Sequence, residues 1–483
     1  MGFFSYFIIV FVSIFFFFIV YKNFKNTNHS FESYIVDRNN INSITSISTL
    51  TSSMLGAWIL FSPAEAGTWS GINGVLGYSI GQALPFVAFA IIGTKIRTLM
   101  PNGHSVTEYV KFRYGNFANI IVGFISVFYM MVFLCAELTG IASASNLIGN
   151  IPSWFTALII GLSVATYVSF AGIKASIFTD KYQFRFIFPL ILICVLTMLF
   201  DIELTNSFNK IGNNLLSFSN SIGTKFGLTL MIAILSANMF HQGLWQRIYS
   251  VKNTKSLTTS FSITALIVIP VVFIFGFIGI IAVGSDTANN PSIALFDTIL
   301  KHSSQWLIIL FLLLAVMLVS SSLDTLFNSI SSIVGTDLLN IYPSSKNFVS
   351  NAMRFTPFIC LIPAVFVASQ EFSVLYLFLI ADMVCSAILF PVFFGLYTNK
   401  FNGNDAVISM IVGLIVGALL FAKPDMSPIL PFIPYSGDLF ASFYMAFISS
   451  TFVSTVLYLK NRTMTKKEFE YSSLNKNITS FKM

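Results

Sequence analysis

Six carboxylates, Glu65, Glu137, Asp180, Asp201, Asp324 and Asp382, fall within or at the edges of long apolar runs, and no Lys or Arg lies well inside any of those runs. A carboxylate at membrane depth needs a partner or a proton. With no internal cation in the sequence, the partner must come from outside, as Na⁺, H⁺ or a positively charged solute. Each such residue therefore marks a candidate functional position. The alternative for any one of them is a carboxyl that stays protonated or bonds a neighbouring helix. Asp201 stands at a run's end and is set aside as interfacial.

Two further stretches carry chemistry. In Ala315–Asp337, AVMLVSSSLDTLFNSISSIVGTD, the residues Ser321, Asp324, Thr325 and Asn328 recur at i, i+3, i+4 and i+7, one face of a helix, and Ser322 and Ser329 widen it. Hydroxyls and carbonyls can replace the hydration shell of a hard monovalent cation. Serines also act as polar glue between helices, but three in a row followed by an in-register acid favour a cation site. In Thr51–Gly67, TSSMLGAWILFSPAEAG, an apolar helix meets Ser62-Pro63, where the pattern predicts a break. A broken helix at membrane depth survives where its freed carbonyls line a cavity, and such breaks hold ions and substrates in transporters. The competing account is a helix that ends early at a glycine-rich turn.

The elements that must position these residues follow from composition. The chain has 483 residues, 55% hydrophobic and 9% charged, with a mean hydropathy of +0.82. That describes an integral membrane protein. The net charge of +7 is spread over short loops, which argues against a nucleic-acid partner. Cys135, Cys194, Cys360 and Cys385 all lie in apolar segments and imply no disulfide framework. The first segment lacks the basic start and cleavage site of a signal peptide and reads as a helix.

Apolar runs predict thirteen spans, at 2–21, 43–66, 74–99, 117–148, 153–171, 183–201, 224–247, 258–284, 303–335, 349–369, 373–397, 404–422 and 438–459. If the loop after the first is cytoplasmic, all basic residues except Lys210, Lys225, Lys301 and Lys423 fall inside, which predicts an outside N-terminus and a cytoplasmic C-terminus. The expected organisation is an extra helix and loop in 1–42, and a core over 43–400 made of two five-helix halves, 43–201 and 224–400. Two C-terminal helices follow in 401–460, then a tail, 461–483, read as unstructured. Two five-helix halves of opposite orientation permit an inverted repeat. Gly71, Gly74, Gly77 and Gly81 read as packing positions. A Thr-Asp pair, Thr179-Asp180, enters a span after a basic loop in SFAGIKASIFTDKYQF (Ser169–Phe184), in keeping with an N-cap, an ion ligand or both.

These residues carry a resemblance to the sodium:solute symporter family over nearly the whole chain. AGIKASIFTDKYQ is similar to its Thr-Asp-x-x-Gln signature, SSLDTLFNSISSIVGTDLL to its helix-eight signature, and HQGLWQRIYSVKN (His241–Asn253) to its Gln-Arg run. The resemblance implies the LeuT-type five-plus-five inverted repeat with additional helices at both ends. It implies a Na⁺ site of the Gly56, Ile59 and Leu318 carbonyls with the Ser321 and Ser322 hydroxyls. It also implies a second cation or proton site at Asp180, Ser321, Asp324 and Thr325. Asp324 stands where a hydroxyl would be the simpler ligand.

The expectation is then a secondary active transporter, not an enzyme, that couples Na⁺, or H⁺ in its place, to a small polar organic solute. Trp58, Ser62, Glu65, Gln82, Glu137, Asn238 and Asp382 are the candidate solute contacts. Their carboxylates suit a neutral, zwitterionic or cationic solute, such as proline, urea or a polyamine. A passive channel would need a symmetric pore, and a sensor would need a soluble output module. The HExxH motif is absent from the sequence. The expected partners are the solute and the lipid of the cell membrane, with no obligate protein partner.

Overall fold

In a hydrocarbon layer every backbone N–H and C=O must be paired within the chain, and long apolar runs meet that demand by forming helices. The computed structural model describes residues 2–25, 30–201, 204–341, 345–464, 468–476 and 478, and these are helical apart from turns and two isolated bridges. In chain order the helices are α1 (Gly2–Phe24), α2 (Phe31–Ile35), α3 (Ser43–Met54), α4 (Ser62–Leu99), α5 (Val106–Tyr114), α6 (Asn116–Gly149), α7 (Ser153–Ala171), α8 (Ile173–Asp201), α9 (Leu204–Lys210) and α10 (Asn213–Leu216). They continue with α11 (Ser221–Met239), α12 (Gln242–Ser250), α13 (Thr254–Gly284), α14 (Ala294–His302), α15 (Gln305–Ile341), α16 (Lys346–Ala368), α17 (Val374–Phe394), α18 (Gly403–Leu420), α19 (Leu439–Met464) and α20 (Ser473–Lys476).

Among the described residues, twelve helices are long and apolar enough to cross a membrane. The expected span 43–66 is not among them because it is not one helix. Asn42 caps α3, which ends at Met54; Leu55 and Gly56 are extended, and a 3₁₀ turn covers Ala57–Leu60 before α4 starts at Ser62. The break thus precedes its expected place. Pro63 stands in the first turn of α4, where its missing N–H leaves no bond unmade and its fixed φ suits the helix. The 38 residues of α4 would run about 57 Å if straight, against a hydrocarbon thickness of about 30 Å. The helix turns at Gly71, whose φ of 63° and ψ of −157° only glycine adopts readily. That turn takes the place of the loop expected between 66 and 74. Farther along, Gly77 lies against Gly227 of α11, as a packing glycine should.

Three other expectations change. Thr179 and Asp180 do not cap a helix, because α8 already starts at Ile173 and carries them inside it. The expected span 224–247 is interrupted at Phe240-His241; the His241 side chain accepts from the Gly243 amide and starts α12. Part of the tail is ordered. The Phe469 amide donates to the Asn399 carbonyl at 2.8 Å, the Tyr471 hydroxyl donates to the Gly395 carbonyl at 2.9 Å, and Leu474 is buried. Residues 465–467, 477 and 479–483 of the tail lie outside the described residues. The centre of the assembly is α15, in which every residue from Leu314 to Ile333 is buried. It packs on α3, α6, α7, α8, α12, α16 and the 3₁₀ turn.

Candidate functional site

The break between α3 and α4 frees backbone amides that a continuous helix would have paired. Glu137, from the middle of α6, meets them: it accepts from the Ala57 amide at 2.7 Å and the Trp58 amide at 3.4 Å. The Ser322 hydroxyl of α15 donates to the same carboxylate at 2.7 Å. Gly56 lets the acid approach, since a Cβ there would lie 2.2 Å from Glu137 Oε1. Glu137 therefore sits behind the broken segment, bridging the turn to α15. The 3₁₀ turn packs on α15, and Gly56 and Ser322 both meet Glu137. The Ser322 hydroxyl also lies within 3.4 Å of the Leu318 carbonyl.

Ser321 points elsewhere. Consecutive helical residues diverge by about 100°, so Ser321 donates to Asp180 Oδ1 of α8 at 2.6 Å while Ser322 reaches Glu137. Thr49 of α3 also donates to Asp180. One turn further along α15, Asp324 accepts from Ser176 (2.6 Å), Thr179 (2.8 Å) and Tyr167 (3.1 Å), with Thr325 beside it at 3.3 Å. Asp180, Ser321, Asp324 and Thr325 thus converge in one buried cluster.

The cluster also holds a cation that the sequence placed at the inner end of the expected span 224–247. Arg247 is fully buried, because α12 runs back into the core after the break at Phe240-His241. Its guanidinium donates to Thr325 at 2.9 Å, Thr49 at 3.0 Å and Asp180 at 3.3 Å. The expectation of an interior without Lys or Arg is corrected here. Ser176 and Thr179 were visible at i−4 and i−1 from Asp180. Nothing in the sequence pointed to Tyr167 or Thr49.

A separate, narrow cavity of about 20 Å³ lies between α3, α4, α6, α11 and α17. Trp58, Gln82, Asn238 and Asp382 line it, as do Tyr78, Tyr129, Phe133 and Phe378, which sequence reasoning missed. The aromatics form a box: Trp58 stacks on Tyr78 with ring centroids 5.9 Å apart, and Phe133 meets Phe378 edge-on at 4.9 Å. Asp382 Oδ1 is buried without a hydrogen-bond partner. Ser62 is buried and does not line this cavity. Glu65 lies in a wider vestibule of about 590 Å³, where Ser373 donates to it at 3.0 Å. Leu375 lines both spaces.

At the opposite end, residues 30–41 close over α12. The Asn39 and Asn40 amides donate to the Tyr249 and Ser250 carbonyls, and Gln246 donates to the Ile35 carbonyl at 2.6 Å. His104 anchors this strap to α5 through Glu32 (2.7 Å) and Glu108 (3.2 Å). Burial alone would depress the His104 imidazole, but the Glu108 and Glu32 carboxylates outweigh it and hold it above its usual value. The pair is then fully formed below about pH 6.5 and weakens as pH rises through the raised value. Amide exchange at Asn39 and Asn40, corrected for intrinsic rate, is expected to quicken between pH 6 and 9. In His104→Gln that pH dependence should vanish, and its survival would put the effect elsewhere.

A model of the sodium:solute symporter family matches residues 34–413. A spermidine transporter of Candida albicans is 27% identical over 376 residues, which cover 76% of this chain and 71% of that one. A urea active transporter of Saccharomyces cerevisiae is 34% identical over 113 residues, 23% of this chain and 15% of its own length. Among solved structures, a Na⁺-coupled sialic acid symporter in a substrate-bound outward-open state superposes with a TM-score of 0.75 at 16% identity, over 95% of this chain and 98% of that one. A nucleobase-cation-symport-1 family transporter in a closed conformation gives 0.61 at 12% identity, over 92% and 99%. The fold is therefore that of LeuT-like transporters. The chain belongs to the sodium:solute symporter family, whose members move solutes across membranes and are not enzymes.

Proposed function

We propose that the protein carries a small organic cation, of the amine or polyamine class, inward together with Na⁺ by alternating access. The observation that carries this reading is Asp382, an unpartnered carboxylate oxygen in a cavity walled by aromatic rings. Aromatic faces attract ammonium groups, and a buried carboxylate gains a partner when one binds. Gln82 and Asn238 add amide groups to the same wall, and Glu65 offers a second acid on the way in. The relative named for spermidine supports the solute class.

Na⁺ coupling is supported by the donor chemistry around the broken helix: carbonyls of Gly56, Ile59 and Leu318 with the hydroxyl of Ser322, all oxygen ligands suited to a hard cation, while the Ser321 hydroxyl turns to Asp180. Asp180, Asp324 and Thr325 form the neighbouring candidate for a second cation or a proton. In this reading 43–201 and 224–400 are inverted repeats, flanked by 1–42, 401–460 and the tail 461–483. The protein sits in the cell membrane with its N-terminus outside and its strap of residues 30–41 cytoplasmic. Proton-coupled urea uptake is the second reading, favoured by a relative named as a urea-proton symporter.

The test is uptake of radiolabelled spermidine, urea and proline into proteoliposomes under inward Na⁺, K⁺ or proton gradients. Na⁺-driven spermidine uptake is expected. Urea uptake that follows only the pH gradient would install the second reading. Ser322→Ala is expected to raise the half-saturating Na⁺ concentration about tenfold, as loss of one ligand is worth about 1–3 kcal/mol. An unchanged Na⁺ titration would move the ion site away from the break.

A further inference from the structure

We infer that the guanidinium of Arg247 is a built-in occupant of the second cation site, so that the protein binds one Na⁺ and not two. The inference rests on the Na⁺-coupled reading above and concerns only the number of ions.

The geometry leaves the Asp180 end of the cluster already coordinated. A second Na⁺ there would need the Asp180 carboxylate with the hydroxyls of Ser321, Thr325 and their neighbours. Arg247 instead reaches Asp180 Oδ2 at 3.3 Å, Thr325 Oγ1 at 2.9 Å and Thr49 Oγ1 at 3.0 Å from one nitrogen, with Ser176 at 3.5 Å. Those are the oxygens an ion would take. The other terminal nitrogen donates to the Gly243 carbonyl at 3.2 Å, which fixes the group to its own helix. Ser321 donates to the remaining Asp180 oxygen at 2.6 Å.

Asp324 is accounted for separately. Ser176, Thr179 and Tyr167 donate to its two oxygens, and Thr325 lies beside it. A carboxylate ringed by hydroxyl donors is stabilised without an ion. The site is also sealed, since Arg247, Asp180, Asp324 and Thr325 are each fully buried. A guanidinium suits such a place. It is weakly hydrated, keeps its charge when buried, and presents a planar fork of donors. A free ion must be drawn from water on every cycle; a tethered one is carried in by folding.

The oxygen cluster at the break is spared. Ser322 turns to Glu137 and the 3₁₀ turn, on a different face of α15 from Arg247. The structure thus separates two oxygen clusters that share α15, one with a resident cation and one without.

The experiment is equilibrium binding of radiolabelled Na⁺ to the purified full chain, with no solute present. One ion per chain is expected, its affinity weakened about tenfold in Ser322→Ala and retained in Asp324→Asn. Arg247→Gln opens the cluster and should raise the count to two, while Arg247→Lys, which keeps a charge there, should stay at one. Two ions per chain in the parent overturn the inference whether or not any variant folds. So does loss of the single ion in Asp324→Asn, or a folded Arg247→Gln that still binds one. Absence of any saturable Na⁺ binding in the parent is a different failure, because it removes the Na⁺-coupled reading itself.

Discussion

Asp382→Asn is expected to cut spermidine uptake by about one and a half to three and a half orders of magnitude while leaving Na⁺ binding intact. The substitution keeps the shape of the side chain and removes only its charge. Losing one partner of a desolvated charge pair typically costs about 2–5 kcal/mol, tenfold for each 1.4 kcal/mol. The same change should raise the thermal stability of the solute-free protein, because Asp382 Oδ1 is buried without a hydrogen-bond partner and a neutral amide is easier to bury. Gain of stability with loss of function is the signature of a group kept for its ligand. Spermidine uptake at parental rates would remove Asp382 from the solute contacts and with it the organic-cation reading. A neutral solute such as urea should be affected far less, so running both solutes on one preparation separates a lost contact from a damaged fold.

The second large effect is at Glu137. Glu137→Ala strips the acceptor from the Ala57 and Trp58 amides and from the Ser322 hydroxyl together. Each buried donor left unpaired costs about 1–3 kcal/mol, so the expected loss is several kcal/mol. A drop in melting temperature of several degrees or more should follow, with loss of saturable Na⁺ binding as the turn detaches from α15. Gly56→Ala should reproduce the defect by another route, since its Cβ would occupy the space of Glu137 Oε1. Because both changes break one contact, the double variant should be little worse than either single one. Additive losses, or a Glu137→Ala protein with normal Na⁺ affinity, would mean that Glu137 only fills space behind the helix.

The family and the membrane class were legible because they rest on local properties. Long apolar runs, hydroxyls repeating at helical spacing along 321–329, and the Thr-Asp pair at 179–180 are written in consecutive residues. Apolar length forces helices in lipid, and a polar stripe inside such a helix must face something other than lipid. That Asp180, Asp324, Ser321 and Ser322 are buried inside the helix assembly follows from those patterns.

Tertiary structure decided which of these residues share a partner. Ser321 and Ser322 are neighbours in the chain, yet the turn of the helix sends one to Asp180 and the other to Glu137. Glu137 was placed among the solute contacts because an isolated acid in an apolar run carries no sign of what it faces; the fold turns it to the amides freed at Leu55–Gly56. Pro63 drew the expected break to itself, although a proline in a helix's first turn is indistinguishable in sequence from one that interrupts it. Arg247 is the largest difference. In sequence it closes the apolar run 224–247 and reads as a residue at the membrane's edge. Its burial follows from the interruption at Phe240-His241, which directs α12 into the core and carries the guanidinium to Asp180. Charge pairing between residues 67 positions apart depends on where two helices cross, and hydropathy along one chain holds no record of that crossing.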